Sequence, residues 1–162
     1  DIDEEQLAET TIQMQRELDS PVKQGSDPTE TVEHADLVVT ATTSSTPVFP
    51  GEALKPGAVV VAIGAYTSDM QEVDSTTFDR AARVFADVPE KVEHIGDLQK
   101  ADFMRADLVP FSAMVSGDAV RETPEEILVV ESVGSSVMDA AAASYVFERA
   151  EEADLGMTID FG

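Results

Sequence analysis

The sequence predicts an α/β protein built on a doubly wound parallel sheet. Residues 37–42 and 58–64 are apolar runs of strand length, rich in β-branched side chains and without alternation of polar and apolar positions. Such runs are typical of parallel strands covered by helices on both faces. Helical patterns precede, separate and follow the predicted strands, and this alternation indicates an α/β sheet rather than an all-α or all-β domain.

The predicted helices cover residues 4–18, a short stretch ending near residue 34, residues 75–82, much of 91–117, and 138–153. Asp3 can cap the first helix, and Asp27 or Thr29 can cap the second, because short oxygen-bearing side chains accept hydrogen bonds from the first free N–H groups of a helix. Pro21 ends the first helical pattern, and Pro110 opens a turn within 91–117. Small residues at 140–143 permit close packing of the last helix on the sheet.

The predicted strands cover residues 37–42, 58–64, 83–87, 127–131 and, at the end of the chain, 157–161. Asp1 resembles the residue that follows a strand, and no such strand precedes it in the sequence. We therefore expect the sheet to lack its first strands.

The charge of the chain excludes several classes of function. There are 33 Asp and Glu residues against 10 Lys and Arg, giving a net charge of −23, which disfavours binding to nucleic acids or anionic lipids. No apolar run approaches the roughly 18 residues that indicate a membrane span. The absence of Cys excludes disulfides, thiolate metal sites and Cys nucleophiles. We expect a soluble, cytoplasmic protein.

The acidic residues are spread along the chain rather than collected in one block. An acidic surface over an ordinary core is expected of a halophilic protein, because concentrated salt screens the mutual repulsion of the carboxylates. The alternative is an acidic domain that binds a basic partner protein.

Small and hydroxyl-bearing residues follow three of the predicted strands, at residues 40–45, 64–67 and 132–136. In a doubly wound sheet ligands bind beyond the carboxyl ends of the strands, so we expect a crevice where a flat, polar ligand approaches backbone N–H groups. The alternative is ordinary use of Ser, Thr and Gly in turns. No G-x-G-x-x-G or Walker A pattern is present, and neither His34 nor His94 has metal-ligand spacing, so no metal site is predicted.

Four motifs together carry a family resemblance. They are ADLVVTATTSSTPV at 35–48, LKPG at 54–57, AIGAYTSDMQEVD at 62–74, and SVG at 132–134 followed by Asp139 and an Ala-rich helix. In this order they resemble the ornithine cyclodeaminase/mu-crystallin family. The family includes ornithine cyclodeaminase, archaeal alanine dehydrogenase, ketimine and pyrroline-carboxylate reductases, and a thyroid-hormone-binding crystallin.

The resemblance implies a Rossmann-type NAD(P)-binding domain that is paired with a dimer-forming substrate domain. The whole chain, residues 1–162, then corresponds to part of the cofactor-binding domain, whose last helix and strand return to a substrate domain preceding residue 1. The glycine-rich turn would also precede residue 1, so we expect this part alone to be inactive. Because the first strand of such a sheet is central, its absence exposes apolar strand edges. We therefore expect self-association, pairing with a chain that supplies the missing half, or membership of a longer homodimeric protein.

The resemblance also assigns candidate cofactor-binding residues. Asp1 would bind the adenosine ribose hydroxyls, and the carboxylate of Asp3 would repel a 2′-phosphate, which favours NAD over NADP. The remaining candidates would line the adenosine and ribose side (Thr42, Thr43 and Ser44) or lie near the nicotinamide (Ile63, Gly64, Ala65, Val133 and Gly134).

One departure bears on the reaction. Tyr66 stands where the cyclodeaminase and archaeal alanine dehydrogenase place a catalytic Asp, and a Tyr is a poor general base at neutral pH. Ornithine cyclisation is therefore disfavoured, and Asp69 is the candidate to fill the role. The resemblance implies an NAD(P)-dependent oxidoreductase, similar to ketimine reductase or alanine dehydrogenase, that acts on amino acids or cyclic imines. The alternatives are a non-catalytic remnant or nucleotide-binding module, and an ornithine cyclodeaminase-type ammonia lyase in the intact protein.

Overall fold

The protein is described by a computed structural model that covers residues 2–157 and 159, apart from the side chain of Arg105. Within this part of the chain five strands form a single parallel sheet in the order β1-β2-β5-β3-β4. The strands are β1 (Leu37–Thr40), β2 (Val59–Ala62), β3 (Ala81–Ala86), β4 (Leu108–Pro110) and β5 (Ile127–Glu131). The α/β prediction is confirmed, and the sheet has the parallel, Rossmann-like arrangement.

Helices connect and flank the strands in the described residues. They are α1 (Glu4–Glu17), α2 (Pro28–Val32), α3 (Ser75–Arg80), α4 (Pro89–Val92), α5 (Gly96–Lys100), α6 (Phe111–Ser116) and α7 (Ser136–Glu152), with single 3-10 turns at Gly51–Ala53 and Arg105–Asp107. The predicted caps of the first two helices are confirmed. Asp3 accepts from the N–H of Gln6, and Asp27 accepts from the N–H groups of Thr29 and Glu30. None of the helices of the described part is long and apolar enough to cross a membrane.

The hydrophobic core lies around the three central strands. Val60, Val129 and Phe85, one on each of β2, β5 and β3, are completely buried. Phe78 of α3 stacks at an angle against Phe103, with ring centroids 5.4 Å apart. Consecutive residues of β3 and β5 are buried, as expected of strands covered on both faces. On β1 only alternate residues are buried, and Leu37 and Val39 are exposed, so the expectation that both faces are covered is wrong for this strand.

Several boundaries differ from the predictions, and β1 and β2 end at residues 40 and 62 rather than at 42 and 64. The helix expected over 75–82 ends at Arg80, because Ala81 begins β3 alongside Ile127 of β5. The region 91–117, expected to be mainly helical, contains β4, a three-residue strand too short to show a periodicity. The last helix begins at Ser136, two residues earlier than expected, because Ser135 caps it through the N–H of Met138. Of the strand predicted at 157–161, only residues 157 and 159 are described, and neither is in a strand.

Two apolar surfaces are open to solvent. The outer edge of β1 has no neighbouring strand in the described part of the chain, and Leu37 and Val39 on this strand are 57% and 56% exposed. Helix α7 has no buried residue, and its Tyr145, Val146 and Phe147 are all at least 60% exposed. A helix that carries apolar side chains on most of its faces is normally covered by other parts of a protein.

Candidate functional site

The three polar strand ends noted in the sequence lie next to one another. Thr40, Ala62 and Glu131 are in register as the last residues of β1, β2 and β5, which are neighbouring parallel strands. The ladder continues just beyond them, since the N–H of Ile63 donates to the carbonyl of Thr40 (3.0 Å) and that of Ser132 donates to the carbonyl of Ala62 (3.0 Å). Residues 42–44, 63–65 and 132–134 therefore emerge at the same end of the sheet.

A buried carboxylate joins the first two strand ends. Glu72 is fully buried, and its Oε2 accepts from the hydroxyl of Thr40 (2.9 Å) and from the N–H of Gly64 (2.8 Å). Its Oε1 accepts from the N–H of Thr42. A carboxylate with both oxygens engaged can tie backbone from two strands together, because each oxygen has two acceptor positions.

The close approach of these segments requires a glycine at position 64. A Cβ atom added there would collide with the backbone oxygen and nitrogen of Thr42 and with the carboxylate of Glu72. Backbone atoms cannot rotate away as the end of a flexible side chain can, so Gly64 is fixed by the packing of the site.

A second carboxylate organises the end of β5. Asp87 follows β3, and its Oδ2 accepts from the hydroxyl of Ser132 and the N–H of Gly134, both at 2.8 Å. Its Oδ1 accepts from the N–H of Val88 (2.6 Å) and more weakly from that of Val133 (3.3 Å). The loop after β5 is thereby anchored to the end of the neighbouring strand.

A third carboxylate supports the first. Asp97, at the start of α5, is buried, and its Oδ1 accepts from the N–H groups of Glu72 (2.6 Å) and Val73 (2.9 Å). Burial raises the pKa of Asp97 above its ordinary value, an effect that these two N–H groups oppose.

These bonds change the expected chemistry of the site. The backbone N–H groups of Thr42, Gly64, Val133 and Gly134 are engaged by carboxylates of the protein itself. The expectation that a ligand meets free N–H groups here is therefore wrong at these four positions. Hydroxyl groups, carbonyl oxygens and the apolar surfaces of the loops remain to contact a ligand.

The predicted cofactor-binding residues differ in exposure. Thr42, Thr43 and Gly134 are exposed, Ile63 is 48% exposed, Ser44, Gly64 and Val133 are half-buried, and Ala65 is buried. Asp1 lies outside the described residues. Gly134 has φ +74° and no atom within 4 Å of an added Cβ, so the space in front of it is open.

Asp69, the predicted catalytic candidate, lies on the loop after β2. Its Oδ1 accepts from the hydroxyl of Thr67 (2.6 Å), and that bond is the main reason why its pKa is lowered. A lowered pKa makes a carboxylate a weaker general base. Lys100 joins this loop to the end of β1 by donating to the carbonyls of Asp69 (2.9 Å) and Ser45 (3.0 Å), while Tyr66 is 65% exposed.

The concave space near the site lies to one side of the three strand ends. A groove of about 410 Å³ runs along β1 and is lined by residues of this strand and of the segment before it, among them Gly25, Pro28, Val39, Thr40 and Thr42. Of the predicted cofactor-binding residues that the structure describes, only Thr42 lines it.

Four carboxylates at this end of the sheet were not predicted from the sequence. Glu72, Asp87, Asp97 and Glu131 were not distinguished from the many other acidic residues. Position was the available signal, since Asp87 follows β3 directly and Glu131 ends β5. No group of three or more His, Asp or Glu residues in the described part of the chain is placed to hold a metal ion.

Comparison with known proteins identifies the family. The family model described as ornithine cyclodeaminase/mu-crystallin matches residues 1–154. This chain belongs to that family. Among curated relatives, a Δ1-pyrroline-2-carboxylate reductase of Bacillus cereus is 37% identical in an alignment 158 positions long, which covers 91% of this chain and 47% of the relative. An alanine dehydrogenase of Archaeoglobus fulgidus is 30% identical over 149 residues, covering 88% of this chain and 46% of the relative.

Solved structures of this family share the fold. The Δ1-pyrroline-2-carboxylate reductase of Thermococcus litoralis, solved with NADH and L-proline, superposes with a TM-score of 0.88 at 25% identity, over 98% of this chain and 51% of the other. An archaeal alanine dehydrogenase dimer with bound NAD superposes with a TM-score of 0.83 at 27% identity, over 100% and 51% of the two chains. The chain thus spans about half the length of the relatives it matches.

Proposed function

We propose that this chain is the cofactor-binding part of an NAD-dependent oxidoreductase that acts on amino acids or cyclic imines. The observation that carries the proposal is the junction of three parallel strand ends held by Glu72 and Asp87. Dinucleotides bind at this end of such sheets. Two of the relatives named above were solved with NADH or NAD bound.

The residues present fit such a ligand in two respects. The adenosine side would be contacted by the hydroxyls of Thr42 and Thr43 and by nearby carbonyls, since the N–H groups of Thr42 and Ser44 and the hydroxyl of Ser44 already make hydrogen bonds within the protein. The nicotinamide side would be formed by Ile63, Ala65, Val133 and Gly134, where open space faces a residue without a side chain. When bound, the nicotinamide supplies the hydride chemistry, and these residues orient the ring and exclude water.

The preference for NAD is proposed from Asp3. This residue begins α1, and its Oδ1 accepts from the N–H of Gln6 (3.0 Å), which fixes its carboxylate at the start of the helix. A phosphate on the adenosine ribose would be repelled by a carboxylate in this position.

Cofactor choice can be tested by titrating the native protein that carries this chain with NADH and NADPH, following cofactor fluorescence in molar KCl. NADH is expected to bind more tightly. Asp3→Asn keeps a capping oxygen and removes the charge, so it should reduce the difference between the dissociation constants for NADH and NADPH. Glu9→Gln, on the exposed surface of α1, should leave that difference unchanged. Equal binding of the two cofactors by the native protein would contradict the NAD preference, and no binding of either would overturn the proposed function.

Turnover then distinguishes the candidate activities. An oxidoreductase of the proposed kind oxidises NADH in the presence of Δ1-pyrroline-2-carboxylate or of pyruvate with ammonia. Release of ammonia from ornithine without net cofactor turnover would favour the cyclodeaminase alternative. We do not expect this result, because the exposed Tyr66 stands where the cyclodeaminase has a catalytic Asp. Binding of NADH without any turnover would favour a nucleotide-binding module.

We further propose that the remainder of the native protein covers α7 and takes part in a homodimer. The support is that α7 exposes Val137, Tyr145, Val146 and Phe147 and has no buried residue. One relative superposed above is described as a dimer. The helix would then form part of the contact between the cofactor-binding and substrate-binding parts of the protein.

A further inference from the structure

Glu131 is a buried carboxyl group at the centre of the candidate site. It ends β5, the middle strand of the sheet, and is 1% exposed. Its neighbours in register are Ala62 on β2 and Ala86 on β3, neither of which can offer a side-chain hydrogen bond. Its Oε1 is buried and has no hydrogen-bond partner in the described part of the protein. An ionised carboxylate in this setting would be poorly compensated.

The charged groups that face Glu131 are all acidic. They are Glu72 after β2, Asp87 after β3 and Asp97 on α5, and each acts on Glu131 by charge repulsion. Lys100 acts by charge attraction on Asp97 and is itself exposed, and no positive charge is among the groups that act on Glu131. Four ionised carboxylates so close together would repel one another strongly.

The hydrogen bonds show which of the four should carry a proton. Glu72 and Asp87 accept bonds on both of their oxygens. Asp97 accepts two N–H bonds on Oδ1, while its Oδ2 is buried without a partner in the described part of the protein. Accepting on both oxygens is the pattern of an ionised carboxylate. Oε1 of Glu131 also has no donor, and no pair of N–H groups like that on Asp97 compensates the Glu131 carboxyl among the described residues, so a proton is least disruptive on Glu131.

We propose that Glu131 is a proton-bearing positioning residue, which in its uncharged form allows Glu72 and Asp87 to hold the three strand ends together for dinucleotide binding. Loss of this proton adds a fourth negative charge beneath the loops, loosens them and weakens cofactor binding. The part that concerns binding rests on the proposed function, whereas the location of the proton does not.

The pKa of Glu131 supports this assignment and fixes the sign of the pH effect. Burial above all, and then repulsion by Asp97, Glu72 and Asp87, raises the pKa well above its ordinary value of 4.5. Above that value the unfolded chain releases the proton while the folded protein keeps it. The free energy of unfolding therefore falls as pH rises through the interval between the two pKa values, and it levels off above the folded one.

The experiment compares the native protein with Glu131→Gln, which resembles the protonated side chain in shape and lacks charge. Unfolding in urea and the dissociation constant for NADH are measured between about pH 5 and pH 9 at constant KCl. One proton changes the folding equilibrium by up to about tenfold per pH unit. The native protein should therefore lose stability relative to Glu131→Gln as pH rises, and its dissociation constant should rise several-fold while that of the variant stays level. The exposed Glu125→Gln should behave like the native protein.

The outcomes separate the two proposals. If the free energy of unfolding depends on pH in the same way in the native protein and in Glu131→Gln, the proton is not on Glu131 and the inference is overturned. A pH-dependent stability with pH-independent NADH binding would overturn the positioning role. Failure of the native protein to bind NADH at any pH would count against the proposed function, and the unfolding curves would still locate the proton. If Glu131→Gln does not fold, ¹³C titration of the Glu131 carboxyl in the native protein decides: ionisation near its ordinary value would refute the proposal.

Discussion

The carboxylates at the end of the sheet and those on helix α1 are the same kind of side chain in opposite surroundings. Glu72, Asp97 and Glu131 are at most 1% exposed, and the first two accept hydrogen bonds from neighbouring backbone. Helix α1 carries four Glu residues, all exposed, and buries none of its residues. The acidic residues therefore have two separate physical roles. The buried ones belong to the packing at the end of the sheet, and the exposed ones keep the surface charged and hydrated.

Removal of Glu72 should have the largest effect. Glu72→Ala leaves the buried hydroxyl of Thr40 and the part-buried N–H groups of Thr42 and Gly64 without their acceptor. Unsatisfied buried donors cost about 1–3 kcal/mol each, so we expect the free energy of unfolding to fall by about 3 kcal/mol or more. Urea unfolding in molar KCl measures this loss.

The control is Glu9→Ala on the exposed surface of α1, for which we expect a change within about 0.5 kcal/mol. If both variants lose the same free energy of unfolding, the buried carboxylate contributes no more to stability than the exposed one, which would contradict the prediction.

Glycine substitutions give a smaller effect and refine the same contrast. Gly64→Ala forces a methyl group against the backbone of Thr42 and the carboxylate of Glu72, and we expect it to lower stability by about 2 kcal/mol. Gly134→Ala meets no atom within 4 Å and suffers only from its φ of +74°, so about 1 kcal/mol is expected. Thermal unfolding of both variants tests whether Gly64→Ala loses more stability than Gly134→Ala. A greater loss of stability in Gly134→Ala would contradict the prediction.

Salt should act on the exposed carboxylates and hardly on the buried ones. Raising KCl from about 0.1 M to 1 M shortens the Debye length from about 10 Å to 3 Å, which screens repulsion across a surface with net charge −23. We expect the native protein to become more stable, by an amount smaller than the loss in Glu72→Ala. The difference between the native protein and Glu72→Ala should stay nearly constant, because it comes from hydrogen bonds that salt does not screen. A difference that disappears in high salt would assign Glu72 an ordinary surface role.

Several parts of the fold could be predicted from local sequence. Strand β5 was predicted with both of its ends, because a continuous apolar run begins after charged residues and ends at Glu131. The caps Asp3 and Asp27 were predicted because a helix start depends on a few neighbouring residues. Strand β4 was missed because a segment of three residues is too short to show a periodic pattern of apolar side chains, and the strand forms by pairing with β3.

The candidate site was predictable only in outline. The strand ends around Thr42, Gly64 and Gly134 could be recognised because small and hydroxyl-bearing residues follow apolar runs. The residues that hold these ends could not, since the acceptor for Gly64 is eight positions away and the acceptor for Gly134 is 47 positions away. Among 33 acidic residues, nothing local distinguishes such partners.

The sequence by itself determined the fold class, the family resemblance and the acidic surface, because each depends on composition, on short periodic patterns or on ordered motifs. Tertiary structure alone decided which carboxylates lie beneath the strand ends and which remain in solvent. It also decided that the N–H groups expected to meet a ligand are taken by Glu72 and Asp87 instead. The physical reason is that burial and hydrogen bonding arise from segments distant along the chain, and these change the energy of a carboxylate far more than its neighbours in sequence do.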